Sequence, residues 1–107
     1  MADVVNIAKD YSRILGGRWI RLGDFSGEDF YNRILEPRFI KARDEGGKLC
    51  IELDGTTGYP SSFLDQSFGE LARNYGKDIV KETIEFKAQV FAWVADYISR
   101  EIWDKTE

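Results

Sequence analysis

Two adjacent serines, Ser61 and Ser62, stand in the part of this sequence best suited to chemistry. An apolar strand pattern runs into a glycine-rich loop, Gly55–Leu64, and the loop leads into an apolar helix pattern. The start of a helix presents free backbone N–H groups and a partial positive charge, which together stabilise a phosphate. A serine hydroxyl there is a candidate acceptor for a regulatory phosphate, and Ser62 is the best placed of the two.

The same segment supports two other interpretations. Ser62 and Asp65 have the spacing of a capping box, in which the hydroxyl serves only to close the helix N terminus. Alternatively, Asp54, Tyr59 and Asp65 could act with the serines of the Gly55–Leu64 loop in small-molecule binding or catalysis, although no catalytic motif accompanies them. Two carboxylates without further ligands are weak evidence for a metal site, and we expect neither a metal nor a cofactor.

The composition excludes much other chemistry. The chain has 107 residues, no histidine and one cysteine, Cys50. Without histidine there can be no Ser-His-Asp or Cys-His catalysis and no zinc site that uses imidazole. A lone cysteine cannot form an intramolecular disulfide or a CxxC pair.

Charge and hydropathy limit the class of partner and the compartment. The net charge of −4 argues against binding nucleic acid by counterion release. No run of about 18 apolar residues predicts a membrane-spanning helix, and the N terminus does not have the pattern of a secretory signal. One free cysteine suits a reducing compartment, so we expect a cytoplasmic protein.

Hydrophobic periodicity predicts alternating strands and helices. Apolar residues favour a strand at residues 3–8, and period-two alternation favours strands at 18–22, 48–54 and 83–87. Helical spacing favours helices at residues 26–46, interrupted at Pro37, at 62–75, in one turn at 78–81, and at 88–103. We therefore predict one α/β domain over residues 1–107, with a small mixed sheet of four to five strands and helices mainly on one face.

Several stretches of the chain resemble a known family. They are Asn6-Ile7-Ala8-Lys9-Asp10, Gly17-Arg18, Phe25-Ser26-Gly27-Glu28-Asp29-Phe30, Leu53-Asp54-Gly55 and, most specifically, the block from Ser61 to Leu71. They look like the bacterial STAS-like domain family of unknown function, which is related in fold to the STAS domains of anti-anti-sigma factors and sulfate transporters. The resemblance implies a STAS-like fold without catalytic activity of its own.

The better-known STAS relatives imply a mechanism. In them the second serine of an Asp-Ser-Ser-Gly-Leu stretch is phosphorylated by a partner kinase, which then releases the domain. Ser62 takes that position here, while Pro60 and Phe63 stand where those relatives carry Asp and Gly. The bulky Phe63 would either block a kinase or form part of a docking surface. The implied partner is a histidine-kinase-like ATPase.

We expect a partner to dock on the loop and the start of the following helix. The candidate docking residues are Asp54, Gly58, Tyr59, Pro60, Phe63, Leu64 and Asp65. A structural homodimer built on the last helix remains an alternative. Its aromatic residues, Trp93, Tyr97 and Trp103, lie partly off the main apolar stripe, and we favour core or edge packing for them over an exposed patch.

Overall fold

Three short parallel strands carry the hydrophobic core on one side. The computed structural model describes residues 3–106, and within that range the sheet consists of β1 (Asp3–Asn6), β2 (Leu49–Glu52) and β3 (Ile84–Lys87). The strand order is β1-β2-β3, and both neighbouring pairs are parallel. The expectation of parallel pairs is thus confirmed, whereas the predicted mixed sheet of four to five strands is wrong for the described residues, which form three strands that are all parallel.

Helices fill the connections between the strands. Within the described range they are α1 (Ile7–Asp10), α2 (residues 27–44), α3 (residues 61–75), α4 (Lys77–Thr83) and α5 (residues 92–103). The sheet residues that face these helices, including Val5 and Ile51, are buried, whereas their neighbours Val4 and Cys50 are exposed or half-buried. This alternation follows from the period of two along a strand, and it leaves one sheet face open.

The sequence predicts that Pro37 kinks or restarts its helix, and the restart is wrong. Helix α2 continues through that residue, and the five residues before Glu36, Tyr31–Leu35, form a π-helical turn. Proline lacks an N–H group and crowds the carbonyl four residues earlier, so a wider turn at this point accommodates it. Similar π-helical turns occur in α3 at Asp65–Gly69 and in α5 at Ile98–Trp103.

The strand predicted at residues 18–22 is also wrong. This segment lies in a long connection between α1 and α2, and Ile20–Leu22 form a single 3₁₀ turn there. The backbone N–H of Ile20 donates to the Glu28 carboxylate at 2.8 Å. The side chains of Ile20 and Leu22 are exposed, so the apolar alternation of this segment does not mark a buried face.

The aromatic residues of α5 divide between core and surface. Trp103 is buried, and its indole N–H donates to the Phe68 carbonyl at 3.0 Å. Trp93, in the first turn of α5, is 58% exposed, so the core or edge packing favoured for it is wrong. Val90, which the periodicity places on the apolar stripe of this helix, lies before its start and is 72% exposed.

Candidate functional site

Ser61 and Ser62 occupy the first turn of α3, but neither caps it. Pro60 is the N-cap residue, in an extended conformation, and no side chain of the described residues hydrogen-bonds to this helix start. The Leu64 N–H donates to the Pro60 carbonyl at 3.2 Å. The capping-box interpretation of Ser62 is therefore wrong, and both hydroxyls are left without a capping role. Ser61 is exposed and Ser62 is half-buried.

Ser26 shows what a capping serine looks like in the same molecule. Its hydroxyl oxygen accepts a hydrogen bond from the Asp29 N–H at 3.0 Å, at the start of α2. Ser26 is also buried, whereas Ser62 is not. The two helix starts therefore differ, since one has its own side-chain cap and the other leaves its first-turn N–H groups without one.

Asp65 lies between two arginines, one of them distant in sequence. Arg18 binds one carboxylate oxygen, and Arg73 binds the other at 3.2 Å. Partial burial alone would raise the pKa of Asp65, but the hydrogen bonds from Arg18 and Arg73 outweigh it and hold the pKa below its usual range. Asp65 is thus an ion-paired carboxylate at the surface of α3, and a partner docking on it would meet this charge cluster.

Arg18 reaches Asp65 because the segment that carries it is fastened to α2. We call residues 16–25 the strap. The Gly16 N–H donates to the Phe25 carbonyl at 2.8 Å, so that the strap closes on itself. The Arg18 carbonyl then accepts from the Glu28 N–H at 3.0 Å, in the first turn of α2. These bonds place the arginine beside the start of α3, a position that no local pattern of the sequence predicts.

Asp54 holds the segment that follows β3. Its two carboxylate oxygens accept hydrogen bonds from the backbone N–H groups of Gln89 at 2.7 Å and Phe91 at 3.0 Å. These hydrogen bonds hold the pKa of Asp54 below its usual range, and the one from Gln89 contributes most. Both carboxylate oxygens thus orient the backbone that leads into α5.

Three of the candidate docking side chains face inward. Phe63 and Leu64 are fully buried in the core, and Tyr59 is 9% exposed with its hydroxyl donating to the Leu53 carbonyl at 2.6 Å. Of the remaining candidates, Pro60 is exposed and Gly58 is half-buried. A partner can therefore reach Gly58, Pro60, the two serines and the half-buried carboxylates of Asp54 and Asp65, but not the rings of Tyr59 and Phe63.

Tyr59 makes the stability sensitive to alkaline pH. Burial, with a smaller contribution from Asp54, raises the pKa of its hydroxyl to about 12. The unfolded chain loses this proton near pH 10, so the stabilisation is complete below pH 10 and disappears as the pH rises towards 12. We expect the free energy of unfolding, measured by urea titration, to fall across this interval. The Tyr59→Phe variant should show a smaller decrease, and an identical decrease would contradict this role for Tyr59.

Exposed apolar side chains lie on the segments that leave the carboxyl ends of the strands. Ile14 follows β1, and Val90 and Trp93 follow β3; all three are largely exposed. The connection after β1 contacts the loop after β2, since the Thr57 N–H donates to the Arg13 carbonyl at 2.8 Å. Sequence analysis missed Ile14 and Val90 as surface residues, because apolar side chains are normally assigned to the core.

Comparison with known proteins places the central part of the chain in a known family. Residues 26–89 match the family described as the STAS-like domain of unknown function, and this range includes α2, β2, α3, α4 and β3. No curated protein and no solved structure matches the chain. In the part of the chain that the structure describes, no helix has the length and apolar character needed to cross a membrane.

Proposed function

The chain belongs to the family of STAS-like domains of unknown function, and we propose that it is a non-enzymatic regulatory domain that binds another protein. The observation that carries this proposal is the start of α3. Two serines lie there in the first turn of a helix whose N terminus has no side-chain cap. A phosphate on either hydroxyl would lie close to unsatisfied N–H groups and to the positive end of the helix dipole.

Ser62 is the stronger candidate because of its position relative to Asp65. Residues three apart on a helix share one face, so the Ser62 hydroxyl lies one turn from the Asp65 carboxylate and from Arg18, which binds it. A phosphate on Ser62 would repel Asp65 and compete with it for the guanidinium of Arg18. Because Arg18 belongs to the strap, modification would change the surface formed by the strap and the first turn of α3.

The partner that we propose is a protein kinase of the histidine-kinase-like ATPase class. The resemblance of the serine-containing block to anti-anti-sigma factor domains supports this choice, and the accessible surface around Gly58, Pro60, Ser61 and Ser62 offers a place for docking. Phe63 does not obstruct that surface, since its ring is buried beneath it. A kinase would therefore meet the hydroxyls and the loop backbone rather than the phenylalanine.

Incubation with ATP and a candidate kinase of this class tests the proposal. Intact-mass analysis should show one added phosphate, which the Ser62→Ala variant loses and the matched Ser61→Ala variant keeps. We also expect Ser62→Asp to weaken binding of the partner by about tenfold, which is within the usual range of coupling between a modification and a binding site. Stable binding without any phosphate would refute the switch, and unchanged affinity of Ser62→Asp would count against it.

A further inference from the structure

The two edges of the sheet differ in how their backbone groups are satisfied. In β1 the N–H groups of Val4 and Asn6 point away from β2, because the ladder uses Asp3 and Val5. Both outward N–H groups donate to carboxylates: the Val4 N–H donates to Asp3 at 3.0 Å, and the Asn6 N–H donates to Asp10 at 2.8 Å. The β1 edge thus resists the addition of another strand.

The β3 edge has no such protection. The Leu53 N–H donates to the Lys87 carbonyl at 3.0 Å, so Glu85 and Lys87 direct their backbone groups towards β2. The N–H and C=O groups of Phe86 consequently point outwards, and neither has a hydrogen-bond partner within residues 3–106. An open edge of this kind is a template for pairing with a further strand.

We propose that β3 pairs with β3 of a second copy of this chain, in antiparallel orientation about a two-fold axis beside Phe86. Phe86 of each copy would then donate its N–H to the carbonyl of Phe86 of the other, which satisfies all four outward groups. The two sheets would join into one sheet of six strands. Such an interface is self-complementary, as two-fold symmetry requires.

The charged residues on either side of Phe86 favour a second copy of this chain as the partner of the β3 edge. In this register Glu85 of one chain lies directly opposite Lys87 of the other, and the symmetry produces the pair twice. Both side chains are exposed on the open face of the sheet. They occupy non-hydrogen-bonded positions, where opposing side chains of an antiparallel pair come closest, and opposite charges there stabilise the pairing.

The aromatic residues on the core-facing side of β3 are also compatible with this pairing. The Phe86 ring is partly exposed and stacks on Trp103 with ring centroids 5.5 Å apart. Directly opposed aromatic side chains on adjacent strands attract each other, so the two Phe86 rings would extend the aromatic cluster across the axis. The pairing does not use Ser62 or α3, and therefore it stands or falls separately from the proposed function.

Charge reversal tests the register. Sedimentation equilibrium of the full chain should show a reversible dimer that weakens as the salt concentration rises. Lys87→Glu places like charges opposite each other twice, as does Glu85→Lys, and each should weaken the dimer about tenfold or more. An equimolar mixture of the two variants should form a heterodimer, because each Glu then faces a Lys. The double variant Glu85→Lys/Lys87→Glu should recover the homodimer.

Other outcomes would overturn the proposal. If the chain stays monomeric up to millimolar concentration, β3 does not pair with a second copy, and a strand of another protein becomes the candidate partner for this edge. A dimer that is insensitive to both reversals but is lost in Trp93→Ser would assign the contact to the last helix. Hydrogen exchange gives an independent measurement, since the Phe86 amide should become protected as the concentration rises, while the Val4 amide should not change.

Discussion

Replacing Phe63 with alanine is expected to lower the free energy of unfolding by about 3–5 kcal/mol. Phe63 is fully buried, and its ring lies near those of Phe30 and Tyr11, with centroids 5.6 and 6.5 Å away. Truncation would remove most of the ring and leave a cavity where α2 meets α3. Urea unfolding monitored by tryptophan fluorescence would measure the loss.

Two further variants make this prediction decisive. Phe63→Leu keeps most of the apolar volume and should cost less than about 1.5 kcal/mol, so it remains measurable if the alanine variant does not fold. Trp93→Ala removes a larger ring from the surface, where Trp93 is 58% exposed, and should change stability by no more than about 0.5 kcal/mol. Equal effects of Phe63→Ala and Trp93→Ala would contradict the predicted contribution of the Phe63 ring to the core.

Replacing Gly27 with alanine should cost roughly 1–3 kcal/mol, although alanine is the better helix former. A Cβ atom at this position would stand 2.5 Å from the Phe63 carbonyl oxygen and 3.1 Å from the Cβ of Gln66. The nearest obstacle is backbone, which cannot rotate away, so α2 and α3 must separate. Gly27 thus allows the close approach that brings the strap next to the candidate serines.

A matched glycine provides the control. A Cβ at Gly17 meets nothing within 4 Å, so Gly17→Ala should be neutral or slightly stabilising. Gly27→Ala should also raise the pKa of Asp65 towards its ordinary value, because displacement of α2 moves Arg18 away from the carboxylate. Chemical unfolding and an NMR titration of the Asp65 carboxyl would measure the two effects. Equal stability of the two variants would contradict the close approach of the helices.

Much of the secondary structure could be predicted from local pattern. A short apolar run predicted β1, alternation of apolar residues predicted β2 and β3, and helical spacing predicted the longer helices. The strand predicted at residues 18–22 failed because alternation alone does not supply a neighbouring strand to pair with. The restart predicted at Pro37 failed because the helix continues through the proline after a π-helical turn, and a preference for such turns is weak in a single sequence.

The candidate site could be predicted only in part. The position of Ser61 and Ser62 at a helix start follows from the apolar spacing after Pro60 and is confirmed. The capping role predicted for Ser62 is wrong because the helix begins at Ser61, so that Pro60 is its N-cap residue. The docking residues were named without knowledge of exposure, so buried Phe63 stood in the same set as exposed Pro60.

The sequence by itself determined the class of this protein: an α/β chain of the STAS-like family, without histidine and with paired serines at the start of a helix. These properties depend on composition and on local periodicity, which a sequence displays directly. Only the tertiary structure decided that Arg18 binds Asp65, that Asp54 holds the segment after β3, and that one sheet edge is closed while the other is open. Such relations join residues far apart in the chain, and packing of the whole fold is what brings them within hydrogen-bond distance.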